Sequence, residues 1–327
     1  MTGTILTLRG PVEPSALGRT LMHEHLLLNL TSEFRSDGLL NDEPLVIEEL
    51  AHFAAAGGST VVEVSTSRLT LGASPDPGGG RDSPPYPAGS RTRDNVQALQ
   101  RISDATGINL VLGTGHYRQP YFDHELINTS TVTELADSMV RDIQDGFGDS
   151  GVRAGIIGEV GCDQWFVSAE EERALRAAAR ASKRTGVCIS THAVDYPVGL
   201  AQLDLFAEEG VDPTRVIIGH CDTVNIAGYH DEVLARGAWI QFDTFRGLWE
   251  RDVQRRVRMI VRLADAGHAD RILISHDVCK KSHLKAYGGR GFDFIPTQLP
   301  QLLTEAGMPP DLLDQLLVDN PARALAG

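Results

Sequence analysis

Positive charge is scarce in this sequence, and long apolar runs are missing. The 30 Lys and Arg residues are outnumbered by 44 Asp and Glu, so the formal net charge at pH 7 is −14. Nucleic acids and anionic membrane surfaces are bound through basic patches, and the cations cluster only at Lys280, Lys281 and Lys285. No apolar run approaches the roughly 18 residues of a membrane span, and residues 1–10 lack a secretory signal pattern. We therefore predict a cytoplasmic protein that binds neither nucleic acid nor membranes.

Closely spaced cysteines are also lacking. The four cysteines, Cys162, Cys188, Cys221 and Cys279, form no Cys-x-x-Cys pair and lie in or beside apolar runs. Disulfide frameworks and cysteine-based zinc sites rely on such pairs. We expect reduced, mostly buried thiols and assign them no function.

Short apolar runs alternate with helical patterns along the chain. Its 327 residues, 42% of them hydrophobic, suit one large α/β barrel or two mid-sized domains. The first strand begins near residue 20, and a helix precedes each of seven further strands. The predicted strands are 60–64, 108–112, 154–157, 187–190, 216–218, 238–242 and 272–274, and the helices are 45–56, 95–105, 132–143, 169–182, 200–209, 230–236 and 253–266.

Eight such strands define the predicted fold class. Continuous apolar strands alternating with helices indicate a parallel sheet covered on both faces, and eight strands close a (β/α)8 TIM barrel. A doubly wound open sheet is the alternative, but no G-x-G-x-x-G follows the first strand. We predict an α/β barrel that forms a single domain over residues 1–327, with a short β-hairpin within residues 1–20.

One segment interrupts the alternation of strands and helices. Residues 71–91, LGASPDPGGGRDSPPYPAGSR, are too rich in Gly, Pro and Ser to form a regular element. Because loops that follow barrel strands open on one rim, this inserted loop can reach a pocket mouth there. We expect either a functional loop, with Tyr86 as its one aromatic contact to a substrate, or a surface loop without a role.

Two histidines separated by one residue end the first strand, in the stretch TLMHEHLLLNL at residues 20–30. Side chains at i and i+2 share one face of a strand, so His23 and His25 can hold one ion together. A single His-x-His is a weak signal, since two ordinary polar residues at a strand end would have the same spacing. The pair gains weight only if other ligands converge on it.

Further ligand-type side chains end four other predicted strands. Taken singly, each could be a hydrogen-bonded structural residue or the cap of the next helix. Taken together they face one rim of a barrel and supply the nitrogen ligands and bridging carboxylate of a two-cation site. The predicted metal ligands are His23, His25, Glu159 (in AGIIGEVG), His192 (CISTH), His220 (VIIGHCD) and Asp277 (ILISHD), with Glu159 as the bridge.

The motifs HEH, GIIGE, ISTH, GHCD and SHD, in this order, resemble the phosphotriesterase family of the amidohydrolase superfamily. The resemblance covers nearly the whole chain, from RGP and TLMHEHL to Asn320-Pro321. It implies two zinc ions at the barrel mouth, a homodimer, and a hydroxide that bridges the ions beside Glu159. By position, His23, His25 and Asp277 would hold the more buried ion, and His192 and His220 the more exposed one.

The sequence departs from the best-known members of that family on the fourth strand. Those members use a carbamylated lysine there, whereas the first lysine of this chain is Lys183. Glu159 and the tail KSHLKAYGGRGFDF resemble the phosphotriesterase-homology and phosphotriesterase-related branch instead. The organophosphate and lactone chemistry of the lysine-containing relatives is therefore not implied.

The expected chemistry is hydrolysis by metal-activated water. Two cations that share a water lower its pKa from about 15.7 towards about 7, and the resulting hydroxide would attack a carboxylic ester, lactone or amide. Asp277 would accept the proton, and Tyr117, Arg246 and His283 are candidate substrate contacts. A phosphotriesterase and a barrel that binds a small ligand without turnover are the alternatives. Zinc is the expected metal, although manganese and cobalt also suit these ligands.

Overall fold

A computed structural model describes residues 3–70, 72–73 and 90–326. The predicted inserted loop at 71–91, including Tyr86, lies outside these residues except for 72–73 and 90–91. In chain order the described strands are β1 (Ile5–Thr7), β2 (Gly10–Val12), β3 (Arg19–Glu24), β4 (Leu28–Asn29), β5 (Leu39–Leu40), β6 (Gly58–Glu63), β7 (Asn109–Thr114), β8 (Ile156–Gly161), β9 (Ile189–His192), β10 (Val216–Ile218), β11 (Trp239–Phe242) and β12 (Ile272–Ile274).

Eight of these strands form one parallel sheet that curls into a barrel. They pair in the order β12-β11-β10-β9-β8-β7-β6-β3. The two outer strands meet where His23 N–H donates to Ser275 Oγ at 2.9 Å and Asp277 N–H donates to the His23 carbonyl at 3.1 Å. The predicted (β/α)8 barrel is therefore confirmed, and the hydrogen bonds that close it involve two of the predicted metal ligands.

Some barrel strands extend further than the apolar runs that predicted them. β8 continues to Gly161 and β9 to His192, and Gly161 pairs with His192 in the β8–β9 ladder. Glu159 and His192 therefore lie within strands rather than after them. Pairing continues there because the strands remain buried at the rim, where polar ligands replace apolar side chains.

Helices cover the outside of the barrel. The seven predicted helices are observed within three residues of their expected bounds, and Asp42 caps α2 by accepting from Leu45 N–H at 3.1 Å. The described α-helices are α1 (Thr31–Phe34), α2 (Glu43–Ala55), α3 (Arg93–Thr106), α4 (His124–Thr129), α5 (Val132–Gln144), α6 (Ala169–Thr185), α7 (Val198–Glu208), α8 (Tyr229–Ala235), α9 (Glu250–Leu263), α10 (Phe294–Thr297), α11 (Leu299–Glu305), α12 (Asp311–Asp314) and α13 (Asn320–Ala326).

The N-terminal hairpin and the last helix close one end of the barrel. β1 and β2 pair antiparallel around residues 8–9, so the predicted hairpin is present but ends at Val12. Ile5 from β1 and Leu325 from α13 join a buried apolar cluster with barrel-strand residues such as Met22 and Val111. This plug leaves the opposite end, where the strands finish, as the open rim.

Among residues 3–70, 72–73 and 90–326, no helix is long and apolar enough to cross a membrane.

Candidate metal centre

The Glu159 side chain lies at the centre of the predicted ligands, at the open rim. It is 2% exposed. All four predicted histidines surround it. The ring nitrogens nearest to Oε2 are His192 Nδ1 at 2.8 Å, His220 Nε2 at 3.0 Å and His23 Nε2 at 3.3 Å, and His25 Nε2 lies 3.5 Å from Oε1. The structure thus brings the carboxylate and the imidazoles together as the sequence predicts.

Asp277 completes this cluster from the β12 side. Its Oδ1 lies 3.4 Å from His25 Nε2, and its Oδ2 lies 3.9 Å from His220 Nδ1. Three overlapping sets of ligand atoms lie within 4.8 Å of one another and could each hold an ion: His23, His220 and Asp277; His23, His25 and Glu159; and Glu159, His192 and His220. Two of the three sets share Glu159, which is the arrangement expected of a bridging ligand.

His23 supports a cation at this place most directly. Its ring is fully buried, yet neither Nδ1 nor Nε2 makes a hydrogen bond in the described structure. A buried polar atom without a hydrogen-bond partner is costly, and coordination to a metal ion would satisfy one of the two nitrogens. Imidazole nitrogens and carboxylate oxygens are ligands that zinc, manganese and cobalt accept, so the donor set fits a divalent metal.

Asp243 is a buried carboxylate that the sequence reasoning missed. It directly follows β11, and its Oδ1 accepts from His220 Nδ1 at 2.8 Å while Oδ2 lies 3.3 Å from His23 Nδ1. Carboxylates behind metal-binding histidines orient the ring and raise its basicity. The signal was available, because Asp243 ends a predicted strand in the same way as Asp277.

The charges of the site leave Glu159 and His192 able to bind a cation, whereas His220 would first have to lose a proton. Burial raises the pKa of Glu159, but the neighbouring His192 and His23 lower it by more. The pKa therefore lies well below its usual value, and the group is a carboxylate. Burial lowers the pKa of His192 to about 4, which keeps this ring neutral at pH 7. Burial also lowers the pKa of His220, but Asp243 and Glu159 raise it to about 10. A divalent cation bound beside His220 would displace that proton.

Glu24, the residue between the two first-strand histidines, points away from them and holds the segment that carries Asp277. Its Oε1 accepts from His276 N–H at 2.8 Å and lies 3.0 Å from His276 Nδ1, and its Oε2 accepts from Val278 N–H at 2.9 Å. His276 Nε2 accepts from Ile295 N–H at 3.1 Å, so Nδ1 is the protonated nitrogen. His276 therefore has a structural role.

Two of the predicted ligands occupy strained backbone positions where their strands end. His220 has φ 56° and Asp277 has φ 55°, in the left-handed region that residues other than glycine rarely adopt. Such positions cost of order 1–3 kcal/mol and cluster at functional sites. The strain turns each chain segment abruptly at the rim and directs both side chains inward.

A pocket of about 170 Å³ opens above the cluster. Tyr117 and Arg246, two of the three predicted substrate contacts, line it, and Tyr117 Oη lies 3.3 Å from His192 Nδ1. Burial raises the pKa of Tyr117 well above its usual range, so the phenol remains a hydrogen-bond donor. The remaining wall is mostly apolar and includes Leu28, Leu30, Phe34, Leu69 and Val194.

The basic side chains near the pocket make different contacts. Arg246 Nη1 donates to Asp277 Oδ2, and also to the Asp277 carbonyl at 3.2 Å. Arg118, which the sequence reasoning missed, pairs with Glu33 and Asp163, so its charge is balanced. His283 lies behind the wall, where its Nδ1 accepts from Cys279 N–H at 3.2 Å. The structure therefore brings Tyr117 and Arg246 to the pocket but uses His283 to hold a loop.

A cluster of histidines and carboxylates at the open rim of a (β/α)8 barrel is typical of metal-dependent hydrolases. Residues 3–74 and 90–325 match the model of the phosphotriesterase family. The chain belongs to the phosphotriesterase family and is a hydrolase of that family. Residues 75–89, most of the predicted insertion, fall outside the match.

Three similar proteins indicate the range of this family. The phosphotriesterase homology protein of Escherichia coli is 33% identical over 308 residues, which cover 94% of this chain and 97% of that protein. The N-acetyltaurine hydrolase of Mus musculus is 27% identical, with 99% and 98% covered. The crystal structure of a lactonase from Listeria monocytogenes superimposes with a TM-score of 0.84 at 25% identity, covering 98% of both chains.

Proposed function

We propose that the protein is a binuclear, zinc-dependent hydrolase that cleaves a carboxylic ester, lactone or amide. The observation that carries this proposal is the position of the Glu159 carboxylate among four imidazoles, with Asp277 beside them. His23, His25 and Asp277 would hold one ion, His192 and His220 the other, and Glu159 would bridge them. When bound, such cations lower the pKa of a water molecule towards about 7 and polarise a carbonyl oxygen.

Asp277 is the proposed proton acceptor. Its Oδ1 faces the centre of the cluster, 3.4 Å from His25 Nε2, while Arg246 donates to Oδ2 and so fixes the carboxylate's rotation. Oδ1 would take the proton from the attacking water and pass it to the leaving group. A barrel that only binds a ligand would have no need for a proton acceptor here, so Asp277 favours the hydrolase over that alternative.

Tyr117 and Arg246 are the proposed substrate contacts. The Tyr117 phenol faces the pocket beside His192 and can donate to the carbonyl oxygen of a bound substrate. Arg246 lines the same pocket, and Lys280 lies 4.7 Å over the ring of Phe34 at its wall. Arg246 is already paired with Asp277. In a chain with a net charge of −14, Lys280 is therefore the cation that favours a substrate with a negative end.

The carbonyl substrates are preferred to phosphotriesters for two reasons. Glu159 stands where the organophosphate-hydrolysing relatives have a lysine, so their phosphotriesterase activity is not implied. Two of the similar proteins are named for the hydrolysis of an amide and a lactone, which are both carbonyl compounds. These names describe those proteins. Which bond this chain cleaves is determined by testing each class of substrate.

The test is a hydrolysis panel on zinc-reconstituted protein. Carboxylic esters, lactones, N-acyl amides and phosphotriesters are compared, each as a neutral and an anionic analogue of similar size. We expect turnover of at least one carbonyl class, preference for the anionic member, and loss of turnover after chelation that added zinc restores. Cleavage of phosphotriesters alone would show a phosphotriesterase instead. Tight binding without any turnover would favour a barrel that binds a small ligand without catalysis.

A further inference from the structure

His25 is the first member of a line of buried polar side chains that extends away from the ligand cluster. Its Nδ1 lies 2.9 Å from Ser65 Oγ, and Ser65 Oγ donates to Glu63 Oε1 at 2.5 Å. On the far side, Glu63 Oε2 forms a close ion pair with Arg91 at 2.5 Å. Ser65, Glu63 and Arg91 are all 0% exposed, and His25 is 2% exposed. The line therefore runs from a proposed metal ligand into the protein interior without reaching solvent.

The direction of these hydrogen bonds fixes the tautomer of His25. Glu63, ionised beside Arg91, can only accept, so the single hydroxyl hydrogen of Ser65 is donated to Glu63. Ser65 Oγ must then accept from His25, which places the ring hydrogen on Nδ1. The lone pair of Nε2 consequently faces Glu159 Oε1 at 3.5 Å and Asp277 Oδ1 at 3.4 Å. The opposite tautomer would direct a hydrogen at the place where a metal ion would bind.

Arg91 holds the Glu63 carboxylate in the interior through the close ion pair. A fully buried arginine is rare and costly unless its donors are satisfied. Besides the ion pair with Glu63, Arg91 donates to carbonyl groups at the ends of two neighbouring strands and to a side-chain amide. These acceptors are the Glu63 carbonyl at 3.0 Å, the Ser65 carbonyl at 2.6 Å, the Gly113 carbonyl at 3.0 Å and Asn95 Oδ1 at 3.1 Å.

We infer that Ser65, Glu63 and Arg91 form a positioning network that selects the Nδ1–H tautomer of His25 and presents its Nε2 lone pair to a metal ion. The inference rests on the proposed function, because it requires a metal ligand at His25. Hydrogen bonds to the far nitrogen of a metal-binding histidine fix its orientation and raise its basicity. Here a serine hydroxyl transmits the effect of a carboxylate that is itself held by a buried arginine.

The test measures zinc affinity by competition with a chromophoric chelator for Ser65→Ala, Ser65→Thr and a matched control. Ser65→Ala removes the acceptor for His25, and loss of such a partner typically weakens metal binding by about 10- to 100-fold. Ser65→Thr keeps the hydroxyl and should restore affinity to within a few-fold of wild type. The control is Ser103→Ala in α3, which removes a buried hydroxyl that donates to the Ile108 carbonyl at 2.7 Å.

Ser103→Ala should lower the melting temperature of the metal-free protein without changing its affinity for zinc. The inference is overturned if Ser65→Ala binds zinc as tightly as wild type. It is also overturned if Ser65→Thr melts like wild type without metal but binds zinc as weakly as Ser65→Ala. If wild-type protein itself binds no zinc, the proposed function fails instead, so the two failures are distinguishable.

Discussion

Asp277→Asn is expected to lower kcat by about 10²- to 10⁴-fold, the usual cost of losing a general base. The amide has nearly the same shape and keeps an oxygen that can face the cluster, but it cannot accept the proton of the attacking water. The carboxylate of Asp277 lies 3.4 Å from His25 Nε2 and also accepts from Arg246. Steady-state kinetics with the best substrate of the panel measures the effect, on protein whose zinc content has been determined.

The matched control for this substitution is Asp42→Asn, an identical chemical change at the N-cap of α2. Asparagine caps helices as well as aspartate does, so Asp42→Asn should leave kcat, KM and zinc content unchanged. An Asp277→Asn enzyme that kept its full zinc content and near-normal kcat would remove Asp277 from the role of proton acceptor.

Glu159→Gln should remove at least one bound ion and lower kcat/KM by at least about a hundredfold. Lewis-acid assistance is worth several kcal/mol, and each 1.4 kcal/mol or so is a factor of ten in rate. Glutamine has the same size but no charge, and Glu159 is the only described carboxylate within 3.3 Å of His23 Nε2, His192 Nδ1 and His220 Nε2 together. The measurement is zinc content together with turnover after reconstitution in excess metal.

Glu171→Gln is the control for Glu159→Gln, because it also removes the charge of a buried glutamate. Glu171 is 1% exposed and accepts from Asp163 N–H at 2.7 Å and Ser168 N–H at 3.0 Å, at the start of α6. Its substitution should lower the melting temperature and leave the zinc content at the wild-type value. Full zinc content and turnover in Glu159→Gln would show that another group bridges the ions.

Most of the barrel could be predicted because its strands are short, continuous apolar runs. The convergence of the six candidate ligands could be predicted because each ends one of those runs, and strand ends in a parallel barrel meet at one rim. Asp243 obeys the same rule and was missed because WIQFD has no histidine to draw attention to it.

Other features depend on tertiary contacts that no local pattern contains. Arg91 is buried because Glu63 and three strand-end carbonyls surround it, whereas arginine in a Gly- and Pro-rich stretch is ordinarily exposed. The tail helices α10 to α13 were not predicted because each is only four to seven residues long and three of them contain a proline, which is unusual inside a helix. Zinc as the metal, the homodimer and the cytoplasmic location stay predictions.

The number of ions bound per chain tests the central claim most directly. Elemental analysis of zinc-reconstituted wild-type protein, freed of loosely bound metal, should give two zinc ions per chain. The double variant His192→Ala/His220→Ala, which lacks the two proposed ligands of the more exposed ion, should give one. One ion per chain in the wild type, unchanged in the double variant, would contradict the binuclear centre.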